Sequence, residues 1–301
     1  GFEKRKGGRR MSLVVASCLL TVFAIFWATK RKKEYFLLCA LAASLIVYLV
    51  FTLMYIAKKG GIGGTLRTIL FLTDGFRVRL QYTRLTLWQL GYGLAVGRYL
   101  FPWLFVVTAL YYFSHPKLGW LRRHAWVTAI PPGLALVLYY PPVFLFVARD
   151  SAVQKWLIYL SLGWIAAYLA LGTVLLVAEP GNVRIRYIRT SAVLRCVMLL
   201  SVTALYALYC PQDPAQVYLF YQDAYMAHRG LWYLNPYLSP ATYGVVLAAN
   251  TVSLLLGSVS MMSVARMKWS EGQDDVRLQR KYDAASLGGS VFVHGIKNQL
   301  L

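Results

Sequence analysis

Of the 301 residues, 58% are hydrophobic, 15% aromatic and only 14% charged, and mean hydropathy is +0.52. That balance excludes an ordinary soluble domain and a disordered chain, and it makes the lipid bilayer the expected partner. The net charge of +21 would point to nucleic acid in a soluble protein, but most of it lies in short loops between apolar runs, so no direct nucleic-acid partner is expected.

The chain opens on a cationic arm, Gly1 to Arg10. Lys6-Gly7-Gly8 can be encoded by codons that contain a strong bacterial ribosome-binding sequence, and Met11 follows at initiation spacing. Residues 1–10 are therefore expected to be a non-native upstream extension, with a basic arm on anionic lipid as the alternative. The first apolar run is followed by a basic cluster instead of a small-residue cleavage site, which argues against a cleaved signal peptide.

From there the apolar runs predict seven helical spans, at about 12–29, 35–57, 97–113, 127–148, 157–178, 193–209 and 242–264. Each is at or near the roughly 20 residues that a helix needs to cross about 30 Å of hydrocarbon. No alternating strand pattern recurs, so the expected fold class is all-α, a polytopic membrane helix bundle. The membrane region would occupy 11–264.

Basic clusters after the first, third, fifth and seventh runs, such as Lys30-Arg31-Lys32-Lys33 and Arg266 with Lys268, predict one cytoplasmic side by the positive-inside pattern. The carboxyl terminus then lies in the cytoplasm, and the protein is a multi-pass protein of the inner (plasma) membrane. Segment 58–96 breaks this charge rule with Lys58, Lys59, Arg67, Arg77, Arg79 and Arg84. Its interleaved apolar residues, Leu87 and Trp88 among them, fit a helix in the headgroup plane or short re-entrant pieces.

In the fourth run, Pro131-Pro132 and Pro141-Pro142 remove helix donors at two levels and predict a kinked or broken span. Arg98, at the edge of the third run, is expected to snorkel to the interface. Asn250 is expected to bond a neighbouring helix. The cysteines show no disulfide framework and no metal spacing, and the glycines at 60–64 lack the Lys-Ser/Thr of a phosphate loop, so no cofactor or metal site is expected within these residues.

Segment 210–241 follows the sixth run, on the side opposite the basic clusters. Tyr218, Tyr221, Asp223, Tyr225, His228 and Trp232 make it the candidate input site, since rings interleaved with a few charges can form a ligand pocket. The same composition fits an interfacial aromatic belt.

Residues 265–290 alternate charge sign between Val276, Leu278, Tyr282 and Leu287, the pattern of an exposed linker helix. Gly288 and Gly289 weaken that helix and predict a hinge. At about 100° per residue, His294 and Asn298 of segment 291–301 share one helical face. Phe292, Val293, Ile296 and Leu300 gather on the opposite one.

The run His294-Gly295-Ile296-Lys297-Asn298-Gln299-Leu300 resembles the H box of membrane-bound sensor histidine kinases of two-component systems. The match covers about ten residues and has Gly295 where the family usually carries an acid. It implies that 291–301 begins a dimerisation and phosphoacceptor helix, that His294 is phosphorylated, and that Asn298 positions water for the phosphatase reaction. It further implies a homodimer, a response regulator as partner, and ATP with magnesium in a downstream domain, so that these residues would be the amino-terminal part of a longer protein. The alternatives are a multispan transporter or lipid-handling protein with a structural C-terminal helix, and a non-catalytic membrane receptor.

Overall fold

The computed structural model describes residues 33–59, 71, 74–113, 120, 123–182, 186–210 and 213–218, with isolated positions at 248, 251–252, 255 and 259. Of the described residues 90% are helical and none forms a strand. In chain order the helices are α1 (Lys33–Lys59), α2 (Asp74–Gln81), α3 (Leu87–Tyr112), a 3-10 turn (Ala125–Ala129), α4 (Ile130–Leu138), α5 (Pro141–Val147), α6 (Ser151–Asn182), α7 (Arg186–Tyr209) and α8 (Pro214–Tyr218).

Three of these are long and apolar enough to cross a membrane, within Tyr35–Lys58, Leu87–Tyr112 and Ala152–Gly181, and a fourth span results if the bent pair Ala125–Leu138 and Pro141–Val147 is counted as one. In α7 the apolar stretch is the shorter Ala192–Ala207, because Arg186 and Arg189 occupy the first turns. Run 12–29 lies outside the described residues, as do 265–301 and all but isolated positions of 242–264.

Helix α3 is the axis of the bundle: 72% of its apolar window is buried, against 28% for α6. The peripheral helix presents Trp156, Leu160, Val174 and Val177 outward. In water such a surface would be a liability, whereas a span in contact with lipid is expected to show it.

Helix α1 buries Leu38, Leu41, Leu45, Tyr48, Leu49, Thr52 and Ile56, the three-and-four spacing of one helical face. That face meets Gly93 and Gly97 of α3. A Cβ on Gly97 would fall 2.5 Å from the Tyr48 backbone nitrogen, and one on Gly93 would fall 2.3 Å from the Phe51 ring. Gly93-x-x-x-Gly97 is thus the small-residue seam that lets two backbones approach in lipid.

The third span differs from the sequence expectation. Its helix starts at Leu87, ten residues before the expected 97, so Leu87 and Trp88 belong to a span and not to an interfacial piece. The cause is local: the Thr86 hydroxyl accepts the Gln89 amide at 3.3 Å, while the Gln89 side chain accepts the Thr86 amide at 3.1 Å. This capping box starts the helix at once. Of the remaining segment 58–96, the described helix α2 has eight residues, about 12 Å of length, too short to cross. Lys58 ties α1 to the turn after α2 by donating from Nζ to the Thr83 carbonyl at 2.8 Å.

The fourth span breaks where its prolines stand. Pro131 and Pro132 occupy the first turn of α4, and Pro141 and Pro142 the first turn of α5, the positions where a missing N–H costs least. Between them Tyr140 is extended at ψ 128°, and the axis bends by 81°.

Candidate functional site

Each proline within a helix leaves a carbonyl one turn earlier without its amide donor. Pro102 does this to Arg98, and the Tyr206 hydroxyl of α7 donates to the Arg98 carbonyl at 2.7 Å. The Thr128 carbonyl, just before α4, accepts the Tyr168 hydroxyl of α6 at 2.9 Å. At the break itself, the Tyr139 carbonyl accepts the Tyr218 hydroxyl at 2.7 Å. Tyrosines from three other elements therefore satisfy open carbonyls, and two of them, Tyr206 and Tyr218, draw α7 and α8 to one point beside Arg98 and Tyr139.

At that point is an ion pair. Arg98 donates from Nη1 to Oδ2 of Asp213, and both side chains are 0% exposed. With about 1.5 Å of rise per residue, Arg98 lies about 16 Å along α3 from Leu87, well inside the span. The expectation that it snorkels to an interface is thereby corrected, because Asp213 supplies its counter-charge inside the bundle. A pair buried this way is costly to break: removing one partner strands the other charge, at about 3–5 kcal/mol.

Asp213 is held from several directions. Its Oδ1 accepts the Ala215 amide at 2.9 Å and its carbonyl accepts the Gln216 amide at 3.0 Å, which starts α8. The hydroxyls of Tyr139 and Ser161 each stand 3.4 Å from Oδ2. Ser161 already commits its one proton to the Ile158 carbonyl at 2.8 Å, so its approach to Asp213 is a weak polar contact.

The guanidinium is less completely served. Arg98 lies 5.6 Å from the centroid of the Tyr99 ring, within cation–π range, and beside the Cys210 thiol. Its Nε and Nη2 make no hydrogen bond.

Of the residues expected in the input site and the phosphoacceptor run, Tyr218 alone is described. It is 7% exposed, with its ring 5.5 Å from that of Trp88 and 5.2 Å from that of Phe144. A Cβ on Gly91 would meet it at 2.4 Å, so the ring occupies the notch that this glycine leaves in α3. His294, Asn298, Tyr221, Asp223, Tyr225, His228, Trp232 and Asn250 lie outside the described residues. Sequence reading missed the partnership of Arg98 with Asp213, and the available signal was charge: two opposite charges in a chain this apolar need each other.

No protein-family model, no curated protein and no solved structure matches this chain. Among the described residues, no group of three or more His, Cys, Asp or Glu side chains is placed to hold a metal ion. The arrangement joins spans electrostatically and through hydroxyl-to-carbonyl bonds, and it places fixed charge beside a bend.

Proposed function

We propose that this chain is the membrane-embedded sensor part of a histidine kinase. His294 accepts a phosphoryl group from ATP bound with magnesium in a domain outside these residues, and passes it to a response regulator. The observation that carries the reading is the run His294-x-x-Lys297-Asn298-x-Leu300, placed after apolar helices and an alternately charged linker. The imidazole nitrogen attacks the γ-phosphorus, the bond to the β-bridging oxygen breaks, and ADP leaves. In such transfers the protein mainly supplies position and charge stabilisation.

The reading includes seven spans in the inner membrane, with 210–241 outside and 265–301 in the cytoplasm of a homodimer. Incubation of the full gene product with ATP and magnesium should yield acid-labile phosphate on the protein, which His294→Gln should abolish without altering membrane insertion. Undiminished phosphorylation in that variant removes the assignment.

A second reading, transport or lipid handling, draws on the 81° break beside the buried Arg98–Asp213 pair, since broken helices and internal charges mark substrate paths in transporters. Absence of phosphorylation in a protein with a complete ATP-binding domain would favour it.

A further inference from the structure

Helix α2 packs on α1 and turns Phe76 and Leu80, one turn apart, toward the core. Its other side carries Val78 and Arg79, and Tyr82 continues that side because its amide still bonds the Val78 carbonyl at 3.0 Å. These are the three-and-four spacings of one helical face. All three side chains are exposed, Tyr82 at 76%.

The ends of two spans fix the depth of this face. Lys58 closes the apolar stretch Tyr35–Lys58 and donates to the Thr83 carbonyl at 2.8 Å, and Thr86 caps the start of α3 shortly after. The surface formed by Val78, Arg79, Tyr82 and Arg84 therefore sits where α1 and α3 leave the hydrocarbon, at the boundary between lipid and water.

Charge then narrows the partner. Between residues 58 and 89 the sequence holds Lys58, Lys59, Arg67, Arg77, Arg79 and Arg84 against one acid, Asp74. Arg79 and Arg84 are exposed, and among the described residues neither side chain pairs with an acid. Arginines interleaved with an aliphatic and an aromatic side chain suit a surface that meets acyl chains and phosphate together. A guanidinium matches phosphate with two parallel bonds, and the excess of positive charge selects headgroups that are negative overall.

We propose that α2 and the turn after it form a binding surface for the headgroups of anionic glycerophospholipids. Val78 and Tyr82 enter the acyl boundary, and Arg79 and Arg84 hold the headgroup phosphate. This goes beyond the phosphoryl-transfer reading and does not depend on it. It also gives a counter-charge to cations of 58–96 that depart from the charge pattern of the other loops.

The test uses the whole chain in vesicles of phosphatidylcholine mixed with phosphatidylglycerol, with Cys18, Cys39, Cys196 and Cys210 replaced by alanine. Tyr82→Cys carries a bimane label, which bromine on the acyl chains of either lipid quenches on contact. At equal bulk content, brominated phosphatidylglycerol should quench about fivefold or more as effectively as brominated phosphatidylcholine. Arg79→Gln with Arg84→Gln should bring that ratio toward one. Arg149→Gln with Lys155→Gln, which removes two cations outside this face, should leave it unchanged. All five altered positions are exposed, so the packing of the bundle is not at stake.

Three results overturn the proposal. Weak quenching by both lipids would show a face solvated by water, and equal quenching by both would show lipid contact without selection by charge. A similar loss of preference in the two double variants would show general attraction to a basic surface.

Discussion

Tyr206 donates its hydroxyl to the carbonyl of Arg98 at 2.7 Å, the oxygen that Pro102 deprives of an amide partner. The Tyr206 ring is fixed for this by stacking on Phe101 at 4.4 Å and by contact with Tyr48 at 5.2 Å. One side chain thus repairs the backbone of α3 beside the residue that carries the buried charge.

The consequence is a thermodynamic cycle. Tyr206→Phe keeps the ring and removes the bond, and should cost about 1 kcal/mol, with up to about 3 if the carbonyl stays unsatisfied. Pro102→Ala returns the amide donor, so in that background the same substitution should cost about half as much or less. Equal costs in both backgrounds, read from denaturant unfolding in detergent, would show that the hydroxyl does not serve the proline's orphan.

Close approach at Gly97 makes a second prediction. A Cβ there would meet the Tyr48 backbone at 2.5 and 2.6 Å, and backbone cannot rotate away as a side chain can. Gly97→Ala should therefore destabilise the bundle by about 1–3 kcal/mol. Gly163→Ala in α6, where a Cβ meets nothing within 4 Å, should be neutral or gain up to about 1 kcal/mol from helix propensity. The same unfolding assay distinguishes them, and similar effects at both sites would remove the seam.

How far the sequence revealed this architecture depends on the kind of signal. Helix α1 was legible because the run 35–57 contains no charge. The broken span was legible because two proline pairs act locally on the backbone. The start of α3 was misplaced because the cations of 58–96, the last of them Arg84, made the whole segment read as interfacial or re-entrant. The correcting signals were present in Thr86-x-x-Gln89 and Gly93-x-x-x-Gly97, but a capping box and a helix seam are weaker than hydropathy over a short window. The Arg98–Asp213 pair was not legible at all from periodicity. The two residues lie 115 positions apart, and only folding brings α8 back against α3.

Topology supplies a third prediction. The proposed topology, drawn from the loop charges, puts 210–241 on the outer side and 265–301 in the cytoplasm. With the native cysteines replaced, Ser239→Cys should react with an impermeant maleimide in intact cells, while Ser290→Cys should react only after the membrane is opened. Equal labelling of the two in intact cells would reject the seven-span arrangement.

The last prediction tests the division of labour in the proposed phosphoacceptor run. In the proposed phosphoacceptor helix the four-residue spacing would put His294 and Asn298 one turn apart, so that a phosphoryl group on the histidine and a water ordered by the asparagine would face the same partner regulator. Asn298→Ala should then leave autophosphorylation largely intact and slow the loss of phosphate from the regulator. Position 295 carries glycine where a carboxylate would accept the imidazole N–H and raise the basicity of the attacking nitrogen. Gly295→Glu should speed phosphoryl transfer to His294, measured as the initial rate of acid-labile phosphate formation with saturating ATP and magnesium. A rate unchanged by Gly295→Glu would mean that another residue already polarises the imidazole. Loss of both reactions in Asn298→Ala would place the asparagine in the transfer step itself, against the role proposed for it.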